Sequence, residues 1–276
     1  MPPRLGTIAV DGGELGYVVQ GDGSPTVLFV PGGLTTGELW SEEARRLSEG
    51  RRTVRYDLRG TGRSPSASGR FRYDRDLAAL IRALGGGPVD LVATSLGAAI
   101  ALDLAVEEPS LVRGLVLVAP ALGGYEPTVP EARPMAVRML RPVEEAEMVG
   151  DEEGAVRALL EAWLAGPYRT LPDLPAPVRE RAERLFAAGR RSTPAASLVA
   201  EPPERPARDR LRRLRAPTLV VAGALDLPGV RATAEHIAEE LPNGRYLRVD
   251  GAAHLPMLER PDELHRALVG FLDALP

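Results

Sequence analysis

The sequence predicts an α/β fold: a mostly parallel central sheet with helices on both faces and a helical insertion between the two parts of the core. Three observations carry this. Apolar runs at 26–30, 89–94, 115–119 and 218–222 are nearly continuous, the pattern of strands buried on both faces. Helical patterns separate these runs, which is how parallel neighbours must be joined. Finally, 276 residues, 44% hydrophobic and 26% charged, suit one large soluble α/β domain.

Element by element, Thr7 to Gln20 reads as a hairpin turning at Asp11-Gly12-Gly13. Thr26 to Val30 is a strand ending at Pro31-Gly32-Gly33, followed by a helix near Glu38 to Ser48 and a strand from Thr53 to Tyr56. The helix from Tyr73 to Leu84 stops at Gly85-Gly86-Gly87. Val89 to Thr94 is a strand, Leu96 to Val106 a helix and Leu115 to Ala119 a strand. The alternation returns as strand Thr218 to Ala222, helix Val230 to Glu240, strand Tyr246 to Val249 and helix Asp262 to Leu275.

Between about Ala121 and Arg215 the rhythm breaks. Prolines recur there, no strand is expected, and Ala155 to Leu164 and Pro177 to Ala188 read as helices. An excursion that long is not a plain loop. The expected division is a core at 1–120, a helical insertion at 121–215 and the rest of the core at 216–276.

Composition excludes several chemistries. With no cysteine there is no disulfide, thiolate metal site or cysteine nucleophile. All 34 basic residues are arginines, which removes lysine Schiff bases and a P-loop lysine. A net charge of −4 argues against nucleic acid. The amino terminus lacks the apolar stretch of a secretion signal and no window suits a membrane span, so a cytoplasmic protein without membrane partners is expected. Gly85-Gly86-Gly87 precedes a strand and not a helix, so no dinucleotide site, and no other cofactor or metal, is expected. A homodimer is left open.

The chemistry concentrates at Leu91-Val92-Ala93-Thr94-Ser95-Leu96-Gly97-Ala98. A strand runs straight into Ser95 and a helix starts directly after it; Ala93 and Gly97 are small enough for a tight turn that lifts the hydroxyl above the sheet. An ordinary helix cap is the competing explanation. A serine nucleophile needs a base. Of three histidines, His236 and His265 lie in helices among charged residues and read as solvated, whereas His254 follows a strand on a glycine-containing loop. Asp226, just past another apolar strand, is the candidate to orient it. The chain order Ser95, Asp226, His254 is that of one particular serine-hydrolase arrangement.

These residues resemble the α/β-hydrolase superfamily over nearly the whole chain outside the middle segment. Asp57-Leu58-Arg59-Gly60-Thr61-Gly62-Arg63-Ser64 is similar to its D-x-R-G-x-G-x-S segment, and Gly251-Ala252-Ala253-His254 with Glu259-Arg260-Pro261 resembles its histidine loop. The resemblance implies that the insertion is a cap shaping the substrate pocket, with cap-bearing bacterial esterases and lactonases the nearest in character. It also implies an oxyanion hole from the backbone N–H groups of Gly33 and Leu96, and substrate contacts from Gly32, Leu34, Thr94 and Trp163. Two departures stand out: Thr94 where members often have histidine, and Pro31-Gly32-Gly33 in place of His-Gly. Serine at the elbow disfavours haloalkane dehalogenase and epoxide hydrolase chemistry, which use aspartate there.

The expected reaction is hydrolysis of a small-molecule carboxylic ester or lactone through an acyl-enzyme, with an acidic limb in the rate profile because protonated His254 cannot act as base. Carbon–carbon hydrolysis, lyase or cyclase chemistry and perhydrolysis use the same three residues and stay open, as does a non-catalytic ligand binder. In the insertion, Trp163, Tyr168, Met135, Met139 and Phe186 could line a pocket but read first as packing. Arg133, Arg138, Arg141 and Arg157, with Glu144, Glu145 and Glu147 near, read as a solvated face.

Overall fold

In a computed structural model, which describes residues 2–65, 69–191 and 198–276, the chain forms ten strands and nine α-helices among the described residues. The strands are β1 (Arg4–Val10), β2 (Gly13–Gln20), β3 (Thr26–Val30), β4 (Arg52–Tyr56), β5 (Gly69–Phe71), β6 (Val89–Thr94), β7 (Val112–Val118), β8 (Leu198–Ala200), β9 (Thr218–Gly223) and β10 (Gly244–Val249). The helices are α1 (Ser41–Leu47), α2 (Tyr73–Ala83), α3 (Leu96–Glu107), α4 (Ala132–Met148), α5 (Glu152–Leu159), α6 (Ala176–Arg191), α7 (Pro228–Glu240), α8 (Pro256–Glu259) and α9 (Pro261–Asp273).

Eight strands form one sheet in the order β1-β2-β4-β3-β6-β7-β9-β10. Only β1 with β2 and β2 with β4 pair antiparallel; from β4 to β10 every pairing is parallel. The period of two explains the continuous apolar runs. Leu28, Val30, Leu91 and Ala93 join a core cluster with α2, α3 and α7, while Val27, Phe29 and Val92 join a second with α1 and α9. Both faces are therefore covered, and all six residues of β6 and of β9 are buried.

The outer elements depart modestly from expectation. The helix expected near Glu38 is a 3₁₀ turn (Gly37–Trp40) leading into α1, and β7 starts at Val112. The insertion departs more. It contains a long α4, which the prolines concealed. Pro134 lies in its first turn, where no intrahelical N–H is needed, and Pro142 is at an exposed position where water can take the carbonyl it frees. The sequence reading expected no strand there, but β8 pairs in parallel with β5 in a separate two-stranded sheet. A three-residue strand is too short to show any periodicity.

Candidate active site

The fully buried β6 ends directly at Ser95. This residue adopts φ 53° and ψ −122°, a left-handed-side conformation that non-glycine residues rarely take and that a surrounding structure must impose. Four backbone bonds hold it. The Ser95 N–H donates to the Val118 carbonyl (3.1 Å), and the Ser95 carbonyl accepts from the N–H groups of Ala98 (2.9 Å), Ala99 (3.4 Å) and Ala121 (3.1 Å). Gly97 is required two residues on, because a Cβ there would sit 2.4 Å from the Pro31 carbonyl oxygen. Ser95 uses no side-chain bond to cap α3, so its hydroxyl is not engaged as a helix cap.

Asp226 and His254 come from the loops after β9 and β10, neighbouring strands in the sheet. Asp226 is 1% exposed and divides its carboxylate. One oxygen accepts from the Leu227 N–H (2.7 Å); the other lies 2.8 Å from His254 Nδ1. With Nδ1 engaged, Nε2 is the nitrogen left for chemistry. The loops fit together closely, since a Cβ on Gly223 would lie 2.0 Å from the Ala253 carbonyl oxygen.

Two chambers flank Ser95 and His254, and both residues line each. The larger, about 530 Å³, runs under the insertion past Ala121, Leu122, Tyr125, Ala136, Leu140 and Val230. The smaller, about 50 Å³, is lined by Gly32, Gly33, Leu34, Thr94, Phe186 and Leu255 among others, and Trp163 borders both. The structure thus brings together Ser95, His254, Gly32, Gly33, Leu34, Thr94 and Trp163. Leu96 lines neither chamber; as first residue of α3, its N–H has no intrahelical acceptor. Gly32 and Gly33 lie against it and Ser95, with a Cβ on Gly33 falling 3.0 Å from Leu96 Cδ2 and one on Gly32 falling 3.4 Å from Ser95 Cβ.

Other sequence readings need correction. The remaining histidines are half-buried and partnered, not solvated. His236 stacks on the Tyr125 ring (centroids 4.2 Å, 6° between planes), and His265 Nδ1 lies 2.6 Å from the buried Glu43 carboxylate. Tyr168 neither packs nor lines a chamber; it is 51% exposed, with the Arg231 guanidinium over its ring. Phe186 is core packing and chamber wall at once. Arg133 is exposed, as expected, yet it borders the larger chamber. Sequence reasoning missed Tyr125, Leu140 and the α4 wall, for which the unread helix was the missing signal. Among the described residues, no group of three or more His, Asp or Glu side chains could hold a metal ion.

The sequence signature described as the alpha/beta hydrolase fold matches residues 25–261. The chain belongs to the α/β-hydrolase family. A candidate non-heme bromoperoxidase, BpoC, from Mycobacterium tuberculosis is 30% identical over 94% of this α/β hydrolase and 97% of that protein. The polyketide synthase ThaQ of Burkholderia thailandensis is also 30% identical over 96% of this chain, which spans only 12% of ThaQ. Among solved structures, a thermophilic esterase from Thermogutta terrifontis superposes with a TM-score of 0.74 at 25% identity, covering 98% of each chain. No helix among the described residues of this α/β hydrolase is long and apolar enough to cross a membrane.

Proposed function

We propose that this α/β hydrolase cleaves a carboxylic ester or lactone of a small molecule, with Ser95 as nucleophile, His254 as base and Asp226 as its orienting carboxylate. The observation that carries the reading is the strained Ser95 sharing both chambers with a histidine whose Nδ1 is tied to a buried carboxylate. In the first step His254 Nε2 takes the Ser95 proton as Oγ attacks the acyl carbon. The imidazolium then returns that proton to the departing alcohol oxygen, leaving an acyl-Ser95 ester. Water, deprotonated by His254, attacks this ester; the acid departs and Ser95 regains its proton. Backbone N–H groups of Gly33 and Leu96 are the assigned donors to the oxyanion, and one such donor is worth about 10²–10³ in turnover.

The unequal chambers support a finer reading: one bulky, mainly apolar arm beside Tyr125 and Leu140 in the chamber of about 530 Å³, and one short arm in the chamber of about 50 Å³. The likeness to a candidate bromoperoxidase favours one second reading, perhydrolysis, in which hydrogen peroxide replaces water in the second step and a peracid leaves. A matrix of esters, each arm short or bulky, tests the main reading against a Ser95→Ala control. Turnover confined to esters with one short arm, and lost in the control, is expected. Equal turnover of an ester bulky on both sides overturns the two-arm assignment.

A further inference from the structure

Behind His254 lies a closed ring of polar contacts that the proposed mechanism does not use. Glu259, at the end of α8, has a side chain only 1% exposed. Its carboxylate accepts from the N–H of Ala253 (3.0 and 3.2 Å) and of Leu255 (3.3 Å), the residues on either side of His254. Its third donor is Arg169, from the insertion. The same guanidinium donates to the Gly251 carbonyl (3.1 Å) on the histidine loop, and to those of Leu164 (2.7 Å) and Ala165 (2.9 Å). These two residues directly follow Trp163, whose carbonyl accepts the His254 N–H (3.1 Å) and whose ring lies 4.4 Å from the imidazole.

The segment so held, Leu160–Ala165, is wound as a π-helix, a rare form that is frequent at functional sites. Burial alone would expel the Glu259 charge, and it raises that carboxyl's pKa; Arg169 and the two amides oppose this. Neither Glu259 nor Arg169 lines a chamber, so neither touches a substrate bound there. A carboxylate buried this deeply, spent on the two amides that bracket one histidine, is a device for aiming that histidine.

We infer that Glu259 and Arg169 act as one positioning unit, locking the His254 loop to the Trp163 segment and so aiming the base at Ser95. This rests on the proposed serine-hydrolase reading. Arg169→Lys is the informative variant, because lysine keeps the charge beside Glu259 but lacks the planar fork that spans four acceptors. A small error in placing a catalytic group costs up to about 10²-fold in rate.

The test compares wild type, Arg169→Lys, Glu259→Gln and the double variant. It reads kcat and KM on the best ester, the labelling rate of Ser95 by a fluorophosphonate, melting temperature, and the His254 Nδ1–H resonance in ¹⁵N-histidine-labelled protein. Expected are a fall of about tenfold or more in kcat and labelling at unchanged KM, a broadened His254 resonance, and a double variant no worse than its worse parent. If Glu259→Gln does not fold, Arg169→Lys still decides through kcat, labelling and the resonance. A folded Arg169→Lys with wild-type labelling and resonance overturns the inference, as do losses that multiply in the double variant. Wild type that does not label at Ser95 overturns the hydrolase reading and this one with it, whereas labelling unchanged across the variants overturns this one alone.

Discussion

Replacing Asp226 by asparagine asks the structure a sharp question, because the two carboxylate oxygens have different partners. One accepts from the Leu227 N–H at 2.7 Å and the other meets His254 Nδ1 at 2.8 Å, in a side chain 1% exposed. Asparagine has one acceptor oxygen and one NH₂. The buried Leu227 N–H needs the acceptor, since leaving it unpaired costs about 1–3 kcal/mol. The amide therefore turns its NH₂ toward His254. Nδ1 must then be the unprotonated nitrogen, the proton moves to Nε2, and Nε2 can no longer accept the Ser95 proton. A wrong tautomer in this arrangement lowers kcat by about 10⁴-fold, a figure established for another serine hydrolase, which corresponds to about 5.5 kcal/mol in the barrier. The assay is kcat on a short p-nitrophenyl ester, with melting temperature as control. A folded Asp226→Asn enzyme within tenfold of wild type would refute this account of the Asp226–His254 pair.

Three further outcomes follow from other parts of the fold. Gly97→Ala places a methyl 2.4 Å from the Pro31 carbonyl oxygen and 2.7 Å from that of Val30; both are backbone, so stability should fall by about 1–3 kcal/mol in urea unfolding, and an unchanged midpoint would contradict the elbow packing. Phe186→Ala removes a wall of the smaller chamber, so the preferred short arm should lengthen while tolerance on the bulky side stays as it was, read from kcat/KM over a homologous ester series. Burial pushes the Asp103 carboxyl up to about 6, against the bond it accepts from the Ala207 N–H. With the folded pKa raised, its contribution to stability is complete below the ordinary carboxylate range and is lost as pH rises through about 6. Asp103→Asn keeps an acceptor for Ala207, so it should raise stability at pH 8 by up to about 3 kcal/mol and leave pH 4 nearly unchanged; equal effects at both would contradict the assignment.

What could be read from the residues alone depended on whether the signal was local. The strands at β3, β6 and β9 were legible because burial on both faces makes most positions apolar, and the candidate Ser95, Asp226 and His254 because each lies on the turn or loop that follows a strand. Helix α4 was hidden by Pro142, whose cost depends on the exposure of the turn before it, which no local pattern records. The three-residue β8 exists only through its pairing with β5. The partners of His265 and His236, Glu43 and Tyr125, lie far off in sequence, so both histidines looked like charged-helix surface. Arg169 and Glu259 likewise meet only in three dimensions, although Glu259 was visible as part of a motif.

The most direct test of the central claim is intact-mass and peptide-mapping analysis of fluorophosphonate labelling, with wild type, Ser95→Ala and His254→Ala side by side. The account predicts one adduct per chain on wild type, mapped to Ser95, none on Ser95→Ala, and labelling slowed by orders of magnitude on His254→Ala. An adduct on another residue, or no adduct on folded wild type, would contradict it.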